Sequence, residues 1–226
     1  MIRVQKLKFQ TVEELAYTTL HEFEQEVNQS LSPPVDVDLV GECLYGLRWD
    51  WDVMDERALP KSAFGEATSA TQRRMIILAG LYPHERRVVL NESHRDLFDA
   101  KPGLERFTKA HEIGHWVLHI DKAALDHPKL FDYEADCIIC RDGDDTWIER
   151  QANWYAAALL MPRQLFKQVA QEHDLLKWKS LYRLAEHFGV TISALCIRMK
   201  QCGMSYVDEQ GRIHKSIADY VGQETL

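Results

Sequence analysis

The chain has 226 residues, 46% of them hydrophobic, which is enough for one sizeable core with or without a small appendage. Its 27 Lys and Arg against 35 Asp and Glu leave a formal charge of -8, which argues against non-specific binding to nucleic acid or anionic membranes, since both need a cationic surface. No stretch approaches the roughly 20 apolar residues of a membrane span or the apolar core of a signal peptide, and five cysteines make no even framework, so a cytoplasmic protein with reduced thiols is expected.

In chain order, Thr11 to Gln29 reads as a helix, with Thr11 three residues before Glu14 in capping-box spacing and Val12, Leu15, Ala16, Phe23 and Val27 at helical intervals. "SPPVD" ends it, because two prolines favour extended backbone, and Asp36 or Asp38 can cap a short second helix stopping near Gly46. "LRWDWDV" then alternates, with Leu47, Trp49, Trp51 and Val53 on one side, as a half-buried strand does. "RRMIILAG" and "RRVVLN" are two further apolar runs around the turn-like "LYPHE", which together predict a small antiparallel sheet ahead of the next helix.

That helix, "RFTKAHEIGHWVLHI" (106–120), carries His111, Glu112 and His115 in H-E-x-x-H order. Four residues of helix advance about 400° and 6 Å, so both imidazoles face one way and one ion can bridge them, while Glu112 lies beside that face within reach of a bound water. Phe107, Ala110, Ile113, Gly114, Val117 and Leu118 surround the motif, so the histidines are expected to be partly buried and to need a partner. Gly114 weakens a helix by up to about 1 kcal/mol relative to alanine, which suggests a close neighbour there.

Catalytic zinc keeps three protein ligands and a water. His119 lies eight residues from His111, about 12 Å along a continuous helix, too far to share an ion, and is read as a supporting or packing residue. Glu149 is the better third ligand. It begins a helix whose Ala152, Ala156 and Ala157 permit a close crossing at Gly114, and Asn153 shares its face, placed to hydrogen-bond a histidine and fix its tautomer. Asp126, Glu134 and Asp136, in the acidic stretch "DKAALDHPKLFDYEADCIICRDGDD", remain alternatives.

"RFTKAHEIGHWVLH" together with "IERQANWYAAALLMP" resembles the ImmA/IrrE-type metallo-endopeptidases, continuously from about "PPVDVDLVGECLYGL" to about Gly203. The resemblance implies a zincin-like fold, zinc held by His111, His115 and Glu149, Glu112 as catalytic base, and a protein substrate that is often a helix-turn-helix repressor. The fold expected is therefore α+β, with a small antiparallel sheet, an active-site helix pair and a C-terminal helical hairpin. Its divisions are an N-terminal helix (1–30), a metalloprotease domain (31–175) and a hairpin with tail (176–226).

Several signals are weaker. Cys137 and Cys140 form a lone C-x-x-C with no second pair nearby, so ordinary reduced cysteines are expected. "LAEHFGVTISALCIRM" has the Gly-centred spacing of a DNA-binding helix-turn-helix, but "ISALCIRMK" offers few polar reading residues, so a packed hairpin is preferred and no direct nucleic-acid binding is expected. The runner-up function is a DNA-binding or metal-sensing regulator with a non-catalytic metal site. Tyr155 and His173 are possible oxyanion donors. "RRVVLNES", just upstream of the motif helix, is taken as the edge strand that pairs with an extended peptide substrate.

Overall fold

The computed structural model describes residues 5–54, 76–125, 138–141 and 146–224. Helix α1 (Phe9–Val27) buries the stripe Val12, Ala16, Thr19, Leu20 and Phe23. It starts two residues before Thr11, after Lys8 and with no side-chain cap, so the Thr11–Glu14 spacing lies inside the helix and is not a capping box. Helix α2 (Val37–Tyr45) is capped as its sequence suggests, the Asp36 carboxylate accepting from the Leu39 amide and Gly46 closing the far end.

Strands β1 (Arg48–Asp52), β2 (Ile77–Tyr82), β3 (Arg87–Asn91) and β4 (Ile138–Arg141) form one sheet in the order β1-β3-β2-β4. Two expectations are corrected here. The sheet is mixed rather than antiparallel, because β1 runs parallel to β3 while β2 is antiparallel to both β3 and β4. "RRVVLN" is an interior strand rather than an edge: β3 is paired on both sides, and Val88, Val89 and Leu90 are buried on successive positions, hence on both faces. Such an uninterrupted apolar run marks a strand covered on both faces, a signal that the edge reading neglected. Among the described strands the edges are β1, whose alternating exposure matches "RWDWD", and β4.

After α3 (Arg95–Ala100), helix α4 (Pro102–His119) opens with Pro102 in its first turn and carries the H-E-x-x-H motif. It packs against β2, β4 and α2, and most closely against α6 (Trp147–Leu160), which follows the short α5 (Lys122–Leu125) and β4. Helix α1 covers another side of α6. Then come α7 (Arg163–Ala170), α8 (Trp178–Phe188), α9 (Ile192–Gln201), the two-stranded β5 (Tyr206–Val207) and β6 (Ile213–His214), and α10 (Ile217–Glu224). The chain turns at Gly189 between α8 and α9, where the sequence places its helical hairpin, and near Gly211 between β5 and β6.

Leu181, Leu184, Phe188, Leu195 and Met199 of α8 and α9 share one apolar core with α1, α2, α4 and α6. The hairpin is thus packed into the molecule. Among the described residues no helix is long and apolar enough to cross a membrane.

Candidate metal centre

The crossing of α4 and α6 builds the site. Gly114 and Ala152 meet there: a Cβ on Gly114 would lie 3.2 Å from the Cα and the carbonyl oxygen of Ala152 and 3.2 Å from the Tyr155 Cβ. Glycine lets the two backbones come this close without the few tenths of an ångström of adjustment that any Cβ would demand. Ala152 and Ala156 are fully buried, Glu149 is buried one turn before Ala152, and Asn153 lies one turn after Glu149 at the exposed border of that face. The Thr146 hydroxyl accepts from the Glu149 amide and fixes that first turn, where the helix dipole also favours a carboxylate.

This crossing brings His111, His115 and Glu149 together, all three buried, with one ligand atom of each within 4.8 Å of the others. The His111 Nε2 lies 2.9 Å from a Glu149 carboxylate oxygen, the His115 Nε2 is 3.2 Å from the other, and the two Nε2 atoms are 2.9 Å apart. A tetrahedral ion with bonds near 2.1 Å would hold its ligand atoms about 3.4 Å apart, so the spacing fits zinc after shifts of a few tenths of an ångström.

The opposite side of each ring sets its proton. The His111 Nδ1 is 3.0 Å from the Asn153 Oδ1, the contact expected from the sequence, and the His115 Nδ1 is 3.0 Å from the His119 Nδ1. When each Nδ1 donates, the neutral rings turn bare Nε2 lone pairs toward each other and toward a carboxylate. Three acceptors converging without a proton among them repel unless a cation lies between them, so the donor chemistry fits a metal.

Burial raises the Glu149 carboxyl, yet protonated His115 and His111 rings, donating to it from Nε2, outweigh this and hold the group well below the usual carboxylate range; a metal cation among the three groups would take the place of those protons. Glu112 shows the reverse. It is fully buried, neither carboxyl oxygen has a hydrogen-bond partner among the described residues, and burial pushes its pKa up to about 8, with His111 pulling down and Glu149 pushing further up. Burial and the neighbouring His115 push the His119 imidazole down to about 3, against its bond to Gln151.

Of the remaining candidates, Asp126, Glu134, Asp136 and Cys137 lie outside the described residues. Cys140 contributes its backbone to β4, and Cys43, Cys196 and Cys202 are free thiols. Tyr155 does not serve the site as an oxyanion donor: its hydroxyl donates to the Thr19 Oγ1 at 2.7 Å, in a buried chain that continues to the Tyr45 hydroxyl. His173 lies in the turn after α7, its amide bonded to the Ala170 carbonyl.

Gln151 was not singled out from the sequence. Its Oε1 is 3.0 Å from the His119 Nε2, while its Nε2 donates to the Gln5 and Leu7 carbonyls at 3.0 and 3.3 Å. The only available signal was that His111, His115 and His119 recur every four residues on one helix face.

A search of the curated proteins finds no match to this chain. Among solved structures it is similar to a Mycobacterium tuberculosis transcriptional regulator, at 16% identity and a TM-score of 0.47, over 93% of this chain and 60% of that one. The chain therefore spans less than two thirds of that protein's length. A family model, Peptidase M78, described as the IrrE N-terminal-like domain, matches residues 71–200, a span that includes the whole of α4 and α6. With more than half of its length matched, the chain belongs to the Peptidase M78 family of IrrE N-terminal-like domains.

Proposed function

We propose that this chain is a zinc-dependent endopeptidase, with His111, His115 and Glu149 holding the metal and Glu112 as the catalytic base. The family supports a metallopeptidase, and the converging donor set supports the metal. Zinc, when bound, would polarise the scissile carbonyl and lower the pKa of a water to about 7. Glu112 takes the proton of the attacking water on a carboxylate oxygen, holds it, and passes it to the leaving amine nitrogen. Burial suits it to this work, because a carboxyl with a raised pKa both accepts and releases a proton near neutrality. Asn153 and His119 orient the two rings from behind.

The observation that carries this reading is Glu112 itself. A buried carboxyl group with no hydrogen-bond partner among the described residues is costly, and a purely structural metal site has no use for it. The regulator alternative gains little from α9, whose exposed positions are Ser193, Ile197 and Lys200, a poor set for reading bases.

The substrate is a protein held extended along β4. Among the described strands β4 lies at the end of the sheet and touches α4, so the side of the sheet away from β2 is the proposed place of the peptide backbone, instead of the β3 edge expected from the sequence. A helix-turn-helix repressor is the preferred substrate and the cytoplasm the preferred setting, both on the resemblance carried by the α4 and α6 motifs. Residues 31–175 remain the proposed protease segment, flanked by 1–30 and 176–226.

The test is to load the purified chain with zinc and incubate it with a denatured protein, a peptide library and a panel of helix-turn-helix repressors, reading cut sites by mass spectrometry. Cleavage that stops with a chelator and returns with zinc is expected. A zinc-saturated chain that cuts none of them contradicts the endopeptidase reading, and cutting only unrelated proteins contradicts the repressor assignment.

A further inference from the structure

The site has a support that lies partly outside the family-matched residues. Gln151 is fully buried on α6, two residues after Glu149, and its amide can be oriented in only one way. The Nε2 faces two backbone carbonyls, those of Gln5 and Leu7, which accept and cannot donate, so the Oε1 must be the atom facing His119. Each later proton follows. The His119 Nε2 donates to Gln151, so in the neutral ring the His119 Nδ1 is the acceptor. The His115 Nδ1, 3.0 Å away, then donates, and a neutral His115 presents its Nε2 lone pair toward Glu149 and His111.

The anchor of this chain of bonds is the segment leading into α1. Lys6 sits over the Trp147 ring at 6.0 Å and Phe9 meets the Trp154 ring edge-on at 5.5 Å, so the segment lies along α6 on both sides of Gln151. Residues 5–9 precede the family match by more than sixty positions, yet they hold the amide on which the proton order depends.

We propose that His119 and Gln151 are positioning residues for the metal centre, a hydrogen-bonded relay that runs from the Gln5 and Leu7 carbonyls to His115 and locks it in the tautomer whose Nε2 can bind a metal. This rests on the reading of His115 as a zinc ligand. Helical spacing alone makes His119 a bystander, eight residues from His111, whereas the relay gives all three histidines of that helix face one task. Support of this kind for a metal-bound histidine typically sets 10–100-fold in affinity.

The experiment has two arms on the full-length protein. In the first, nitrogen-15 chemical shifts of the imidazoles are recorded for the wild type, metal-free and zinc-loaded. The relay requires His119 with its proton on Nε2 and a bare Nδ1 in both states; a proton on the His119 Nδ1 overturns it. In the second, zinc affinity is measured by chelator competition for His119→Leu, which keeps the volume and removes the acceptor, and for His119→Asn, whose Oδ1 falls near the position of the lost Nδ1.

The expected result is a zinc Kd raised 10–100-fold in His119→Leu and restored to within about threefold of wild type in His119→Asn. A folded His119→Leu with wild-type affinity, or equal losses in the two variants, overturns the proposal. If the wild type itself binds no zinc, the metal reading fails, and the tautomer in the metal-free protein still decides the relay. It decides equally if His119→Leu does not fold.

Discussion

Replacing Gly114 by leucine tests the helix crossing on which the site depends. The first added carbon alone would sit 3.2 Å from three atoms of α6, two of them backbone, where carbon atoms prefer about 3.5–4.0 Å. The remaining three carbons have no room unless α6 moves. Overpacking of this kind costs about 1–3 kcal/mol, and leucine regains up to about 1 kcal/mol of helix propensity over glycine. Because the obstruction is backbone, the upper end applies, leaving a net loss of about 2 kcal/mol. For a chain of this size that lowers the unfolding midpoint by about 4–8 °C.

A displaced α6 also carries Glu149, one turn before Ala152, away from the two histidines, so zinc affinity should fall together with stability. Calorimetry on the metal-free variant separates the packing loss from the loss of bound metal, which itself stabilises the folded state. Chelator competition then reads the metal. An unchanged midpoint and an unchanged zinc affinity would refute the crossing as the element that sets the site.

Three further outcomes follow from the same geometry. Glu112 has a folded pKa of about 8 against 4.5 for an unperturbed glutamate, so its contribution to metal-free stability is full below pH 4.5 and is lost as pH rises through 8, with a slope of at most about 1.4 kcal/mol per pH unit; the stability of metal-free wild type should fall relative to Glu112→Gln between pH 5 and 8 in denaturant melts, and parallel curves would contradict the burial of that carboxyl. Gly103→Ala would place a Cβ 2.6 Å from the Val190 carbonyl carbon and 2.7 Å from the Thr191 nitrogen, so thermal melts should show about 2 kcal/mol of destabilisation as the start of α4 is pushed off the α8–α9 turn, and a gain in stability would contradict that packing. Proline at Val89 removes an interior strand residue and should unfold the protein, whereas proline at positions 138–141, scanned singly, should include a variant that stays folded and zinc-loaded yet cleaves peptides at least tenfold more slowly; four unaffected variants would contradict substrate addition to β4.

The site was more legible in the sequence than the sheet, for a physical reason. Ligands on helices obey local geometry: His111 and His115 lie four apart on one helix, and Glu149 and Asn153 lie four apart on another, so helical pitch alone sets each pair on a face. The small residues Gly114 and Ala152 then signal where the helices approach. Strand order is a non-local property. Nothing in "RWDWD" says that it passes the nearer strand β2 and lies parallel to β3, although three successive buried residues in "RRVVLN" already pointed to an interior strand. The Gln151 contact was hidden for a similar reason, since it joins α6 to backbone carbonyls of residues about 145 positions earlier, and carbonyls carry no sequence signature.

The central claim is that Glu112 acts on the proton while His111, His115 and Glu149 hold the metal, and Glu112→Gln tests it most directly. Glutamine fills nearly the same space and cannot take up a proton at neutral pH. The measurement is zinc content per chain together with peptide cleavage rate, made on Glu112→Gln and Glu149→Gln in parallel with wild type. The account requires one bound zinc and at least a 100-fold loss of cleavage in Glu112→Gln, with zinc weakened or lost in Glu149→Gln. Zinc lost from Glu112→Gln and kept by Glu149→Gln, or full cleavage by Glu112→Gln, would contradict it.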